Sequence, residues 1–462
     1  MSEPWQLTAN EALTAFRERR LTPVDLVESV IARMDQTDAA LNAYCFRNDS
    51  AARERAALSA KRWSRGEPRG PLDGLPVSIK DLIAVAGMPT RHGSKATSDE
   101  PAKSDSPVIA NLVAAGAIVI GKTTTPEFGH KGVTESPLTG VTRNPWNTGM
   151  TPGGSSGGAG AALAAGAGAL AVGTDGGGSC RKPANYCGVV GMKPSYGRVA
   201  LGVPDGAWPL SSPGPMARCV ADVALLLETM SEPAIADPFT LPALSPFDAE
   251  SLSLAGLRIA CTVTLAGANA RASITSGIEK QFAIFGHLGA EVEPAEPPIE
   301  NPLPFYRTLL DSGSAAHVAQ WSDEELELAD PTFREGVERG RRLSAVDLRD
   351  AFAERGRLAA QMASFFGEYD LLALPCNPTT AYEIGPREPA KDLGETWPAT
   401  VCFTAPFNIT GQPAITVPCG HTDAGLPYGI QIVGPYGRDD LVLRAAAAFE
   451  STTGLRNQMA PL

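Results

Sequence analysis

The 462 residues carry 43% hydrophobic and 19% charged side chains, the latter below the roughly 25% of an average domain, so a large buried core is available and bulk disorder is excluded. Lys and Arg number 39 against 51 Asp and Glu; the net charge of −12 repels a polyanion such as tRNA, no basic patch offsets it, and no nucleic-acid partner is expected. No apolar run nears the roughly 18 residues that span a bilayer, and the opening MSEPWQLTANEALTAFRERR lacks a basic-then-apolar leader, which predicts a soluble cytoplasmic protein with no membrane partner.

The first 65 residues predict helices. Thr8 and Glu11 stand at capping-box spacing, Thr22 precedes Pro23 as a cap before a helix-starting proline, and Val27, Val30, Ile31 and Met34 fall on one helical face. From about residue 70, short apolar runs at 75–80, 117–120, 169–172, 257–262, 371–375, 414–418 and 429–433 alternate with helical stretches, the pattern of an α/β sheet with helices on its faces. Residues 235–400 differ in texture, with Pro-rich pieces around polar helices such as 344–366, and are expected to cap the sheet and shape a substrate pocket. A prior of roughly 150 residues per domain would allow three domains. No internal repeat marks a boundary, and one domain over 1–462 is expected: a helical layer at 1–65, a core at 70–235, the substrate-shaping region at 235–400 and a return to the sheet at 400–462.

Eight cysteines, at 45, 180, 187, 219, 261, 376, 402 and 419, form no CxxC pair and read as small buried hydrophobes of a reducing compartment. The five histidines, at 92, 130, 287, 317 and 421, include no pair four apart, so neither metal nor other cofactor is expected. Any acid–base chemistry must therefore find a base other than a His–carboxylate pair, unless residues distant in the sequence converge.

Residues 151–178 hold eleven glycines where the chain average predicts about three. Such density marks a linker, an anion loop, or backbone amides held open for a reacting atom. Helix-forming Ala159–Ala165 argues against the linker. Two nucleotide-binding patterns fail on context. Gly116 to Thr123 matches GxxxxGKT, yet its four middle residues form an apolar strand where a phosphate loop needs a turn. Gly166 to Ala171 fits GxGxxA, yet it leaves a helix and enters a strand, the reverse of the dinucleotide order. What remains is hydroxyl and amine chemistry. Ser155 and Ser156 sit between glycine pairs, Ser179 follows Gly176, Gly177 and Gly178, and Lys80 ends a strand-like run, LPVSIK, that would deliver its amine to the sheet edge.

The runs GLPVSIKDLIAVAGMPT (74–90), GVTRNPWNTGMTPGGSSGGAGAA (140–162), GTDGGGSCRKPANYCGVVGMKPSYGRV (173–199) and PAITVPCG (413–420) closely resemble the amidase signature family. Ser155 follows Lys80 by 75 residues and Ser179 follows Ser155 by 24, close to the family's spacing. The resemblance implies the amidase signature fold, a mixed many-stranded β-sheet sandwiched between α-helices. It also implies Ser179 as acyl-forming nucleophile, Ser155 as bridging serine on a cis peptide after Gly154, and Lys80 as ultimate base. The amides of Gly176, Gly177, Gly178 and Ser179 would form an oxyanion hole, and Arg181 would be a structural arginine. Ser156, Thr174 and Asp175 are expected beside the site, the last two orienting the nucleophile turn. Lys182, a position of varied type, would face solvent or a substrate carboxylate.

A lysine with its usual pKa of about 10.4 is a poor base at neutral pH, so Lys80 has to be buried with no carboxylate holding its proton. Asp81 is adjacent, but successive strand residues point to opposite faces, so it is not expected to pair with Lys80. The resemblance implies hydrolysis of a linear, non-peptide carbon–nitrogen bond in a small-molecule amide, and allows a homodimer. The alternative is the glutamine-hydrolysing subunit of a tRNA-dependent amidotransferase. That subunit type carries an Asp-bearing pattern just before FTAPFN, where this chain has Val401. A non-catalytic binding module with relic motifs is the third reading, disfavoured because all three side chains are intact.

Overall fold

The computed structural model describes residues 3–200, 209–234, 237–248, 252–385 and 401–462. Eleven strands form one mixed sheet: β1 (Tyr44–Arg47), β2 (Pro76–Lys80), β3 (Ile118–Thr123), β4 (Leu170–Asp175), β5 (Val190–Lys193), β6 (Ser212–Ala217), β7 (Arg258–Cys261), β8 (Glu291–Pro294), β9 (Leu371–Pro375), β10 (Ala414–His421) and β11 (Pro427–Val433). Their spatial order is β1-β3-β2-β4-β6-β5-β10-β11-β9-β7-β8. The triplets β3-β2-β4 and β9-β7-β8 are parallel and the other pairs antiparallel.

Side-chain alternation sends each strand's residues to two apolar layers. Leu371 and Ala373 join the layer built with helices Val220–Met230, Ala272–His287 and Asp439–Thr453, while Leu372 and Leu374 join the layer under helix Ala345–Glu368. Ala171 and Met216 meet the short helices Gly157–Ala164 and Arg181–Cys187 on that second side. Val77 and Ile79 pack into the first layer, so Lys80 projects towards the second, where the glycine-rich loops lie.

All seven apolar runs read as strands are strands, and the 344–366 run is helix Ala345–Glu368. Four strands carry no clear sequence signal. Ser212–Ala217 reads SPGPMA, yet it lies between β4 and β5. Its neighbour β5 pairs only at Met216 and Ala217, so Pro213 and Pro215 face a single partner, as prolines at a sheet edge do. Residues 386–400, the end of the expected substrate-shaping region, lie outside the described residues. Among the described residues no helix is long and apolar enough to cross a membrane.

Both N-terminal caps form as their sequences require: Thr8 accepts from the Glu11 amide and Thr22 from the Asp25 amide, with Pro23 opening its helix. The buried Asp222 carboxylate ties this layer to the core by accepting from the amides of Ala9 (2.7 Å) and Asn10 (3.1 Å). Asp222→Ala leaves those donors without an acceptor and is expected to lower stability by about 1–3 kcal/mol in urea titration; an unchanged midpoint would contradict this tie.

Candidate active site

The last residue of β2 brings Lys80 into an enclosed site with no carboxylate within hydrogen-bond reach. Lys80 is fully buried, and its Nζ lies 2.7 Å from Ser155 Oγ and 2.9 Å from Thr174 Oγ1. Burial pushes the amine down to about 7, helped by the nearby Lys182 and opposed in part by Asp175. Asp81 points away, as strand alternation requires: its Oδ1 is 3.3 Å from Lys122 Nζ and accepts from the Arg91 amide. Lys122, the lysine of the GxxxxGKT pattern, is thus spent on a buried ion pair within a strand.

The Gly154–Ser155 peptide is cis. Glycines admit close neighbours here: a Cβ on Gly129, at φ +70°, would stand 3.1 Å from Ser155 Oγ, so the turn at 127–130 lies against that hydroxyl. The Ser156 amide donates to the Ser179 carbonyl at 3.0 Å, joining the two serine loops through the backbone. Ser156 Oγ also donates to the Thr174 carbonyl at 3.2 Å. The Ser155 and Ser179 hydroxyls are not hydrogen-bonded to each other here. Exposure rises along the row, from 0% at Lys80 to 2% at Ser155 and 8% at Ser179, so the residue nearest solvent is Ser179.

Asp175 and Arg181 hold the Ser179 turn. The Asp175 carboxylate accepts from the amides of Gly178 (2.7 Å), Cys180 (3.1 Å) and Arg181 (3.3 Å). Arg181, fully buried, grips it with Nε and Nη2 at 3.0 and 2.9 Å and also donates to Thr404 O, Gln431 Oε1 and Asn408 Oδ1. Burial alone would raise the Asp175 carboxyl; the Arg181 guanidinium outweighs it and holds the group well below the usual carboxylate range.

Two expectations need correction. Gly178 cannot offer its amide to an oxyanion, because that N–H is committed to Asp175. Thr174 does not orient the nucleophile turn; its hydroxyl holds Lys80, and Asp175 alone of the two shapes the turn. The carbonyls of the turn are pinned on one side: Gly176 O accepts from the Tyr306 hydroxyl (3.1 Å), Gly177 O from Thr404 Oγ1 (2.8 Å) and Gly178 O from the Lys182 amide (2.7 Å). The amides of Gly176, Gly177 and Ser179 have no acceptor among the described residues, which leaves three donors beside the Ser179 hydroxyl.

Tyr306, Thr404, Asn408 and Gln431 escape sequence reading. Only Thr404 and Asn408 give a signal, standing one helical turn apart in FTAPFN. Arg181 braces the loops as expected, whereas Lys182, 3% exposed, does not face solvent. The turn at 127–130 and the helices after residue 300 meet: Phe128 stacks on Phe333 at 4.9 Å, and His130 Nε2 is 2.6 Å from Thr332 Oγ1. None of the eight cysteines is joined in a disulfide, and seven are buried.

A family model described as Amidase matches residues 25–443. An acylamidase of Rhodococcus erythropolis is 36% identical over 455 residues, covering 96% of this chain and 95% of that protein. A glutamyl-tRNA(Gln) amidotransferase subunit of Chloroflexus aggregans is 33% identical over 480 residues, covering 98% of each. The crystal structure of a bacterial aryl acylamidase of the amidase signature family superposes with a TM-score of 0.92 at 28% identity, over 99% of both chains. Sheet, serine loops and relatives agree, and the chain belongs to the amidase signature family.

Proposed function

We propose that the protein hydrolyses a small-molecule carboxamide to a carboxylic acid and ammonia or an amine, through an acyl-enzyme on Ser179. The observation that carries this reading is the 2.7 Å contact between a fully buried Lys80 amine and Ser155 Oγ, with no carboxylate to hold a proton on the lysine. Ser179 Oγ attacks the amide carbon while its proton passes to Ser155 Oγ and the Ser155 proton passes to Lys80 Nζ. The tetrahedral oxyanion is met by the amides of Gly176, Gly177 and Ser179. Lys80 returns the proton through Ser155 to the departing nitrogen, and water, activated along the same path, releases the acid and frees Ser179.

Similarity to an amidotransferase subunit supports a second reading, glutamine hydrolysis within a larger assembly. Against it stands Val401, whose Cγ1 lies 4.0 Å from where a Gly177 side chain would begin. An apolar methyl there offers nothing to a glutamine ammonium.

Ser179→Ala and Lys80→Ala are each expected to lower kcat/KM by at least about a thousandfold with the fold intact by circular dichroism; full activity in either would overturn the assignment. Because the working form of Lys80 is the neutral amine, kcat/KM should rise with pH and level off above about 7, and a profile flat through neutrality would contradict a titrating lysine. Thr404→Val releases the Gly177 carbonyl and is expected to cut kcat about tenfold with KM little changed; an unaltered kcat would show that the turn needs no such pin.

A further inference from the structure

The amides of Gly176, Gly177 and Ser179 each share a peptide plane with the carbonyl of the residue before. Gly154–Ser155 is the one cis peptide among the described residues, so in these three planes the C=O and the N–H point in opposite directions. Holding the carbonyl therefore aims the amide. Asn408 Nδ2 donates to Asp175 O at 2.7 Å, the Tyr306 hydroxyl to Gly176 O at 3.1 Å, and the Lys182 amide to Gly178 O at 2.7 Å. The first and last of these donors are fixed by other bonds: Asn408 also meets Arg181, Asp175 Oδ1 and Leu210 O, and the Lys182 amide belongs to helix Arg181–Cys187. Tyr306 differs. Its hydroxyl makes this single bond among the described residues, so the direction of the Gly177 N–H depends on one phenol, carried by helix Leu303–His317.

The phenol also fills the space over the turn. A Cβ on Gly177 would collide with Tyr306 Oη and stand 3.2 Å from its Cζ. The φ of Gly177 is not in the left-handed region, so it is the phenol, and not the backbone, that calls for glycine there. Tyr306 is 4% exposed, and burial pushes its hydroxyl up, so the group keeps its proton and donates to the carbonyl.

We propose that Tyr306 is a positioning residue for the oxyanion: by holding the Gly176 carbonyl it aims the Gly177 N–H, an inference that rests on the amide-hydrolase reading above. Both residues flanking this plane are glycines, whose backbones rotate freely, so without the hydroxyl the plane turns and carries its donor off line. The next plane is tied at both ends, Gly177 O to Thr404 Oγ1 and the Gly178 N–H to Asp175, which confines the loss to one donor. A helix of the region expected to shape the substrate pocket thus takes part in the chemistry without touching the reacting atoms.

The test uses Tyr306→Phe, which keeps the ring and removes the hydroxyl. A fluorophosphonate gains negative charge on its phosphoryl oxygen as Ser179 Oγ adds to phosphorus and fluoride leaves. Its labelling rate on the pH plateau is expected to fall about tenfold, while the pH at which the rate levels off stays put, because Lys80 is untouched. With an amide that the wild type hydrolyses, kcat should fall about tenfold and KM stay within about twofold. Gly177→Ala should lose at least as much, since its methyl displaces the phenol, and adding Tyr306→Phe to it should cost nothing further. Labelling of Tyr306→Phe within twofold of wild type overturns the proposal. So does a loss confined to KM, which would put the phenol on the substrate instead of the turn, and so do losses that multiply in the double variant. Should Gly177→Ala not fold, Tyr306→Phe alone decides. Failure of the hydrolase reading would look different: the tenfold loss of labelling would stand while wild-type protein turned over none of a panel of amides.

Discussion

The site depends on a lysine taken out of water with no carboxylate in hydrogen-bond reach to offset the loss. Burial alone does not define such a group, since Lys193 is also fully enclosed and also pushed down to about 7. Orientation separates the two. Lys193 Nζ is turned onto the Pro194 carbonyl, whereas Lys80 Nζ reaches two hydroxyls, one of them on the loop whose backbone touches Ser179. A strand end supplies this aim, because β2 fixes which face the side chain takes and where the chain stops.

The opposite electrostatic solution operates a few residues away. Asp175 is as deeply buried as Lys80, yet Arg181 and three backbone amides keep it charged, and that charge shapes the turn carrying Ser179. With the carbonyls of Gly176 and Gly177 held by Tyr306 and Thr404, the turn has little freedom to reorient its remaining amides. Donors fixed before charge develops need no reorganisation as it develops. The brace also draws on distant sequence, since Asn408 and Gln431 reach Arg181 from beyond residue 400.

Much of this was legible in the sequence. Apolar runs marked the central strands because a sheet covered on both faces leaves its strands apolar throughout, and the glycine pairs marked the serine loops because backbones approach closely there. The resemblance placed Lys80, Ser155 and Ser179, and the structure puts a cis peptide before Ser155 and Lys80 within reach of it. What could not be read was pairing across the fold. No local pattern says that the Gly178 amide belongs to Asp175, that Thr174 turns to Lys80, or that a tyrosine 130 residues away holds the Gly176 carbonyl. Strand Ser212–Ala217 was hidden for a related reason: its prolines are tolerated only because one neighbour stops pairing before reaching them.

The central claim is that the Lys80 amine governs the nucleophilicity of Ser179. The rate at which a fluorophosphonate probe labels Ser179, followed by mass spectrometry across pH, measures this without any choice of substrate. The account predicts a rate that climbs with pH, levels off above about 7, and loses both its height and its pH dependence in Lys80→Met. Equal labelling of wild type and Lys80→Met at every pH would contradict it.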